Sequence, residues 1–131
     1  MLAPRLTVAL SLALLAACAQ TPSSVTLEQN QQSKSPLSLH VGQQFNLRLP
    51  SNPTTGFRWL LRDSAPQVLK SLGPEVYSNP EDAGLVGSAG VSTWRFEVIK
   101  AGEGQLALTY ERPWEVGVVP AQRFNCTIKA R

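Results

Sequence analysis

The sequence predicts an all-β domain: an immunoglobulin-like antiparallel β-sandwich of about seven or eight short strands. Three observations predict it. Apolar residues recur at every second position in run after run. Turn-forming pairs separate the runs at short intervals. No stretch carries the spacing of an amphipathic helix of three or more turns. A chain of short strands, each with one polar and one apolar face, buries its apolar faces by packing two sheets together.

In chain order, Leu37 and Leu39 alternate with polar neighbours, and Phe45, Leu47 and Leu49 follow with Asn46 and Arg48 between them. Phe57, Trp59 and Leu61 form a third run, and Val68 to Leu72 a weaker fourth. Trp94, Phe96 and Val98 form the fifth, Leu106, Leu108 and Tyr110 the sixth, and Phe124, Cys126 and Ile128 the last. Successive side chains of a strand face opposite sides, so each run offers one face to a core and one to water. Val41-Gly42, Asn52-Pro53, Gly73-Pro74, Asn79-Pro80, Ala101-Gly102-Glu103-Gly104 and Arg112-Pro113 supply the turns. The two cysteines are Cys18 and Cys126. Cys126 alternates with polar Asn125 and Thr127, which places it on the buried face of a strand. No cysteine pair staples the two sheets, so the immunoglobulin likeness is one of architecture, not of antibody ancestry.

The first residues read as a processing signal. Arg5 precedes a short apolar run, Leu6 to Ala17, too short to span a bilayer and laid out as a signal peptide. The run ends Leu15-Ala16-Ala17-Cys18, which resembles the lipobox of bacterial lipoproteins. That resemblance implies removal of residues 1–17, lipidation of Cys18, and anchoring to the bacterial envelope. Ala19 and Gln20 follow, and the absence of Asp there resembles an outer-membrane sorting signal, with the domain facing periplasm or cell surface. Residues 18–35 are rich in Gln, Ser, Thr and Pro and read as a flexible tether. Residues 36–131 then form one domain.

Composition excludes several functions. The net charge is +3, about +2 without Arg5, and the Lys and Arg residues are scattered, which argues against nucleic acid as a partner. The single histidine, His40, stands at a strand end as an exposed residue rather than a general base. No His or Cys set has metal-ligand spacing, and no phosphate-binding glycine loop opens a helix. Glu81 and Asp82 read as solvated loop carboxylates. A thiol–imidazole pair of Cys126 and His40 is disfavoured by the inward pattern around Cys126. No enzyme activity and no cofactor is expected.

Three loops stand out instead. In Asn52-Pro53-Thr54-Thr55-Gly56-Phe57, Pro53 fixes its own φ and extends Asn52, Asn52 can bond the backbone ahead, and Gly56 permits a positive φ. Two small hydrogen-bonding threonines sit between these stiff points, making a pre-ordered loop that loses little entropy on binding. Gly84 to Gly90 is a long loop with exposed backbone, suited to main-chain pairing along a partner's cleft. In Glu111-Arg112-Pro113-Trp114-Glu115, a Trp beside an Arg just past a strand has the composition of an interface hot spot. Each has a plainer reading: a turn, a flexible loop, and a Trp folded back to cap the sandwich.

Asn52-Pro53-Thr54-Thr55-Gly56-Phe57, Gly87-Ser88-Ala89-Gly90 and Arg112-Pro113-Trp114 together resemble, in order and spacing, the chagasin family of cysteine protease inhibitors. The likeness runs from about Pro36 to the C-terminus. At the second loop the family pattern is Gly-x-Gly-Gly, so Ala89 stands where the family has glycine. The resemblance implies three loops at one end of the sandwich. Thr54 and Thr55 would enter the active-site cleft of a papain-like, cathepsin L-type protease beside its catalytic cysteine. Residues Gly87, Ser88, Ala89 and Gly90 would lie along the non-primed side. Trp114, directed by Arg112 and Pro113, would pack on primed-side aromatics. Inhibition would be reversible and competitive, by a monomer. Ala89 shifts the expected weight of binding towards Thr54, Thr55 and Trp114. The rival reading is an envelope lipoprotein that binds a protein or glycan without inhibiting a protease.

Overall fold

The computed structural model describes residues 22–79 and 90–131. Nine strands run through them: β1 Ser24–Glu28, β2 Leu37–Leu39, β3 Gln44–Ser51, β4 Arg58–Ser64, β5 Leu69–Ser71, β6 Val76–Ser78, β7 Gly90–Val98, β8 Gly102–Glu111 and β9 Gln122–Ala130. One sheet has the order β1-β3-β7-β5, with β6 pairing the other half of the same β7 edge; the second has the order β2-β9-β8-β4. The expected alternation builds the space between them. Phe45, Leu47 and Leu49 of β3, Trp94, Phe96 and Val98 of β7, Leu106, Leu108 and Tyr110 of β8, and Phe124, Cys126 and Ile128 of β9 are all buried. Phe45 and Phe96 are register partners, and their rings stack at 6.0 Å. The result is the immunoglobulin-like sandwich the sequence predicts, with strands at either side that it does not.

The strictly antiparallel expectation is corrected at both edges. β1 pairs with β3, and β2 with β9, in parallel. The cause is the path of the N-terminal segment. β1 climbs the edge of the first sheet beside β3, and a 3-10 turn over Gln29–Lys34 then carries the chain across to the second sheet. There the Gln32 amide donates to the Arg123 carbonyl (3.3 Å), and the Thr127 N–H donates to Ser35 Oγ (3.0 Å). β2 descends beside β9, and the turn at Val41-Gly42 returns the chain into β3.

This also corrects the expected tether over 18–35: its later part belongs to the fold. Val25 and Leu27 face inward in an otherwise polar strand, and Leu27 is fully buried. The β3 ladder supplies backbone partners that composition does not reveal. The chain enters this strand at the pole where β3 begins: the Gln43 amide donates to the Pro22 carbonyl (2.7 Å), and the Gln44 N–H to that of Ser23 (2.9 Å). Cys18 and the rest of the signal lie outside the described residues.

Leu61 departs from its predicted inward role. It is 40% exposed on the outermost strand of its sheet, just before a register shift between Leu61 and Asp63. Among the described residues no helix is long and apolar enough to cross a membrane.

Candidate functional site

The register gathers the loops at one end. Ser51, last of β3, pairs with Gly90, first of β7; Arg58, first of β4, pairs with Glu111, last of β8; and Tyr110 pairs with Gln122, first of β9. The segments 52–57 and 112–121 therefore leave the sheets at the same pole as the end of β6 and the start of β7, opposite the one where the chain enters β1. Gly87, Ser88 and Ala89 lie outside the described residues, as do Glu81 and Asp82.

The first loop is tied by its own side chains. Residues Pro53–Thr55 make a single 3-10 turn, with the Gly56 N–H donating to the Pro53 carbonyl (3.0 Å). The Asn52 side chain does not bond the backbone ahead as expected. Its Oδ1 instead accepts from the Thr54 hydroxyl (2.5 Å), while the Thr55 hydroxyl donates to the Asn52 carbonyl (2.7 Å). The Asn52 N–H donates to the Tyr110 hydroxyl (3.1 Å), fixing the loop to β8. Gly56 adopts φ +80°, a left-handed conformation that glycine enters without a Cβ penalty.

The third loop packs on the first. The Arg112 Nε donates to the Thr55 carbonyl (3.1 Å), and its guanidinium also pairs with Glu115 (3.1 Å). The same guanidinium lies 4.4 Å above the Phe57 ring, a cation–π contact. Phe57 stacks on Tyr110 at 5.3 Å, and Tyr110 meets Trp59 at 4.9 Å. Trp59 in turn donates its indole N–H to the Pro50 carbonyl (2.9 Å). A column of three rings capped by a guanidinium thus runs from the core to the loops. Phe57, predicted as a binding residue, is half-buried within this column and supports the loop from beneath.

Trp114 is 66% exposed. Its indole lies across Gly56: a Cβ built there would fall inside contact distance of Cη2, with Cζ2 at 3.0 Å and Cζ3 at 3.1 Å. Gly56 is thus required twice, for its φ and for the ring above it. Pro53, Thr54, Thr55, Pro113 and Trp114 form the exposed surface of the joined loops, with no formal charge among them. Gly90 differs: it is buried at the start of β7, where a Cβ would collide with the Tyr77 ring and the Ser78 carbonyl. It lets β6 close on β7.

This end holds no catalytic set among the described residues. Cys126 is buried in β9, and burial pushes its thiol pKa up, partly offset by hydrogen bonds from Ser35 and Leu37. His40 is exposed at the opposite pole, after β2, so the two form no thiol–imidazole pair. No group of three or more His, Cys, Asp or Glu among the described residues is placed to hold a metal ion. Sequence reasoning missed Tyr110 as the hub that holds Asn52 and Phe57. Its inward position on β8 was legible, its hydroxyl's partner was not.

The sandwich thus displays two loops tied to one another at one end, with an exposed surface that carries no formal charge. Residues 38–128 match the profile of the Chagasin family peptidase inhibitor I42, and the chain belongs to that family. Chagasin of Trypanosoma cruzi is 33% identical over 98 residues, spanning 72% of this chain and 87% of that protein. Amoebiasin-2 of Entamoeba histolytica is 24% identical over 115 residues, 87% of this chain and 92% of that one. Among solved structures, a cysteine protease inhibitor from Entamoeba histolytica superposes with a TM-score of 0.68 at 22% identity, covering 82% of this chain and 96% of its own. PbICP-C, solved in complex with falcipain-2, gives 0.52 at 19% identity, over 82% of this chain and 89% of that one. At these identities the structures establish the fold alone.

Proposed function

We propose that this protein is a reversible, competitive inhibitor of papain-like cysteine proteases, acting as a wedge in the active-site cleft. The observation that carries this is the lock between two loops: Trp114 seated on Gly56, and Arg112 bonded to the Thr55 carbonyl. A surface tied this way loses little conformational entropy on binding, so most of its contact energy goes into affinity. Thr54 and Thr55 enter beside the catalytic cysteine and Trp114 packs on the primed side. Residues 87–90 follow the non-primed side, with Ala89 weakening that arm. No group of the inhibitor is consumed and no cofactor takes part. The footprint suits a standard protease–inhibitor interface, on the order of 1,600 Å² in total.

The same reading places the protein outside the cytoplasm. Residues 1–17 are removed as a signal peptide, Cys18 carries lipid, and a short tether ending at about residue 23 joins the anchor to β1. The inhibitor acts as a monomer at the bacterial envelope, on the outer membrane, without nucleic acid. Support comes from the Leu15-Ala16-Ala17-Cys18 pattern and from the start of ordered strand at Ser24.

Titration of residues 19–131, made without lipid, against papain tests the inhibitor. Stoichiometric inhibition that reverses on dilution is expected. Absence of inhibition at micromolar concentration would instead support a lipoprotein that binds an envelope protein or glycan.

A further inference from the structure

Resting on the inhibitor reading, we infer that Val116, Val118 and Val119 form a second apolar contact with the protease, continuous with Trp114. Their surface fits an uncharged, apolar wall of the enzyme beside the primed end of its cleft. It selects among papain-like proteases by that wall.

The first argument is exposure. Ten large hydrophobic residues are exposed among the described ones, and the four most exposed all fall in one six-residue stretch: Trp114 at 66%, Val116 at 94%, Val118 at 55% and Val119 at 77%. Single exposed apolar residues need no explanation, but clustered ones mark an interaction surface. The second argument is that the valines are held out. Their loop is pinned at its root, where the Glu115 N–H donates to the Arg112 carbonyl (3.0 Å) and the Arg112–Glu115 ion pair closes the turn. It is pinned again at its end, where the Ala121 N–H donates to the Tyr110 carbonyl (2.8 Å). Between these points Gly117, at φ +77°, turns the backbone in open space: a Cβ added there would meet nothing within 4 Å.

The third argument is sequence chemistry. β-Branched residues usually sit in strands, where their branched side chains pack. Here they occupy a loop and make no contribution to the core. Val118 and Val119 border a recess of about 80 Å³ with Phe57, Glu111, Arg112, Glu115 and Ala121, which places the ridge directly against the ring-and-guanidinium column. The charged residues that line the recess are already paired, Arg112 with Glu115 and Glu111 with Arg62. An apolar wall therefore meets little desolvation penalty here, and a charged one meets no partner.

The test compares the parent chain with V116S/V118S/V119S and with V116S alone, in papain inhibition and in thermal unfolding. The expected result is a rise in inhibition constant of roughly tenfold to a hundredfold for the triple variant, the scale of two or three apolar side chains leaving an interface. The smaller V116S loss should lie in the same direction, and the unfolding midpoint should be unchanged in both. An inhibition constant within twofold of the parent overturns the inference while leaving the inhibitor reading intact. So does a parent that dimerises at assay concentration through these valines, with the triple variant monomeric. A parent that does not inhibit papain at all removes the inhibitor reading itself, and the inference with it.

Discussion

Trp59 and Trp114 belong to the same end of the sandwich and meet opposite fates. Trp59 is 3% exposed and Trp114 is 66% exposed. Trp59 sits in a strand, alternates inward, satisfies its indole N–H on the Pro50 carbonyl and closes on Tyr110. Trp114 follows a proline in a turn and lies on a residue that has no side chain. The difference shows how a small fold displays a large apolar group. One ring is spent inside to hold the loops, through Tyr110 and Phe57, and the other is carried outside on the loops so held.

Exchanging these behaviours would break the comparison. The largest expected effect is from Trp59→Ala, which should cost about 3–5 kcal/mol of stability, read as a fall in the urea midpoint. Trp114→Ala should leave the stability within about 0.5 kcal/mol of the parent. It should instead weaken papain binding by about 2 kcal/mol or more, roughly thirtyfold in the inhibition constant. A stability loss comparable to that of Trp59→Ala would make Trp114 a cap on the sandwich rather than a displayed anchor.

Gly56→Ala sharpens the link between the two loops. It places a Cβ at positive φ and under the indole, so about 1–3 kcal/mol of strain is expected, with Trp114 displaced and inhibition weakened together. Loss of stability with full inhibition would show that the ring's seat is not needed for binding. The smallest expected effect concerns Cys126. Its folded thiol pKa is raised by burial, so above about pH 9 the unfolded chain releases a proton that the folded chain keeps. Stability should fall as pH rises through that region, and C126A should abolish this part of the slope, as followed by urea unfolding from pH 8 upward.

Much of this fold is legible in the residues themselves. β3, β7, β8 and β9 alternate cleanly, and each predicted inward residue in them is buried. β1 is not legible, because two apolar residues in a polar segment do not announce a strand. Its order comes from the open edge of β3, a partner twenty residues away in sequence. β6 is hidden for a similar reason: its three residues are exposed, and only pairing with β7 defines them. In the site, the stiffness of residues 52–57 was readable from Pro53 and Gly56. The support beneath was not, since Phe57 comes from a different run than Tyr110 and Arg112 and meets them only through the β4–β8 register. The Asn52–Thr54 bond illustrates the same limit at short range. Asn52 has several local partners, and the fold chooses among them.

The direction in which the chain enters β1 sets how the molecule can be handled. Pro22 and Ser23 are held at the pole where β3 starts, and the joined loops stand at the other. The ten residues of β8 span the distance between, on the order of 30 Å at strand rise. A support fastened at Pro22 would attach behind the inhibitor, as a hilt attaches behind a blade. A bead, a fusion partner or a lipid leaf would leave the working edge pointing outward, and capture of an enzyme would not require release from the support.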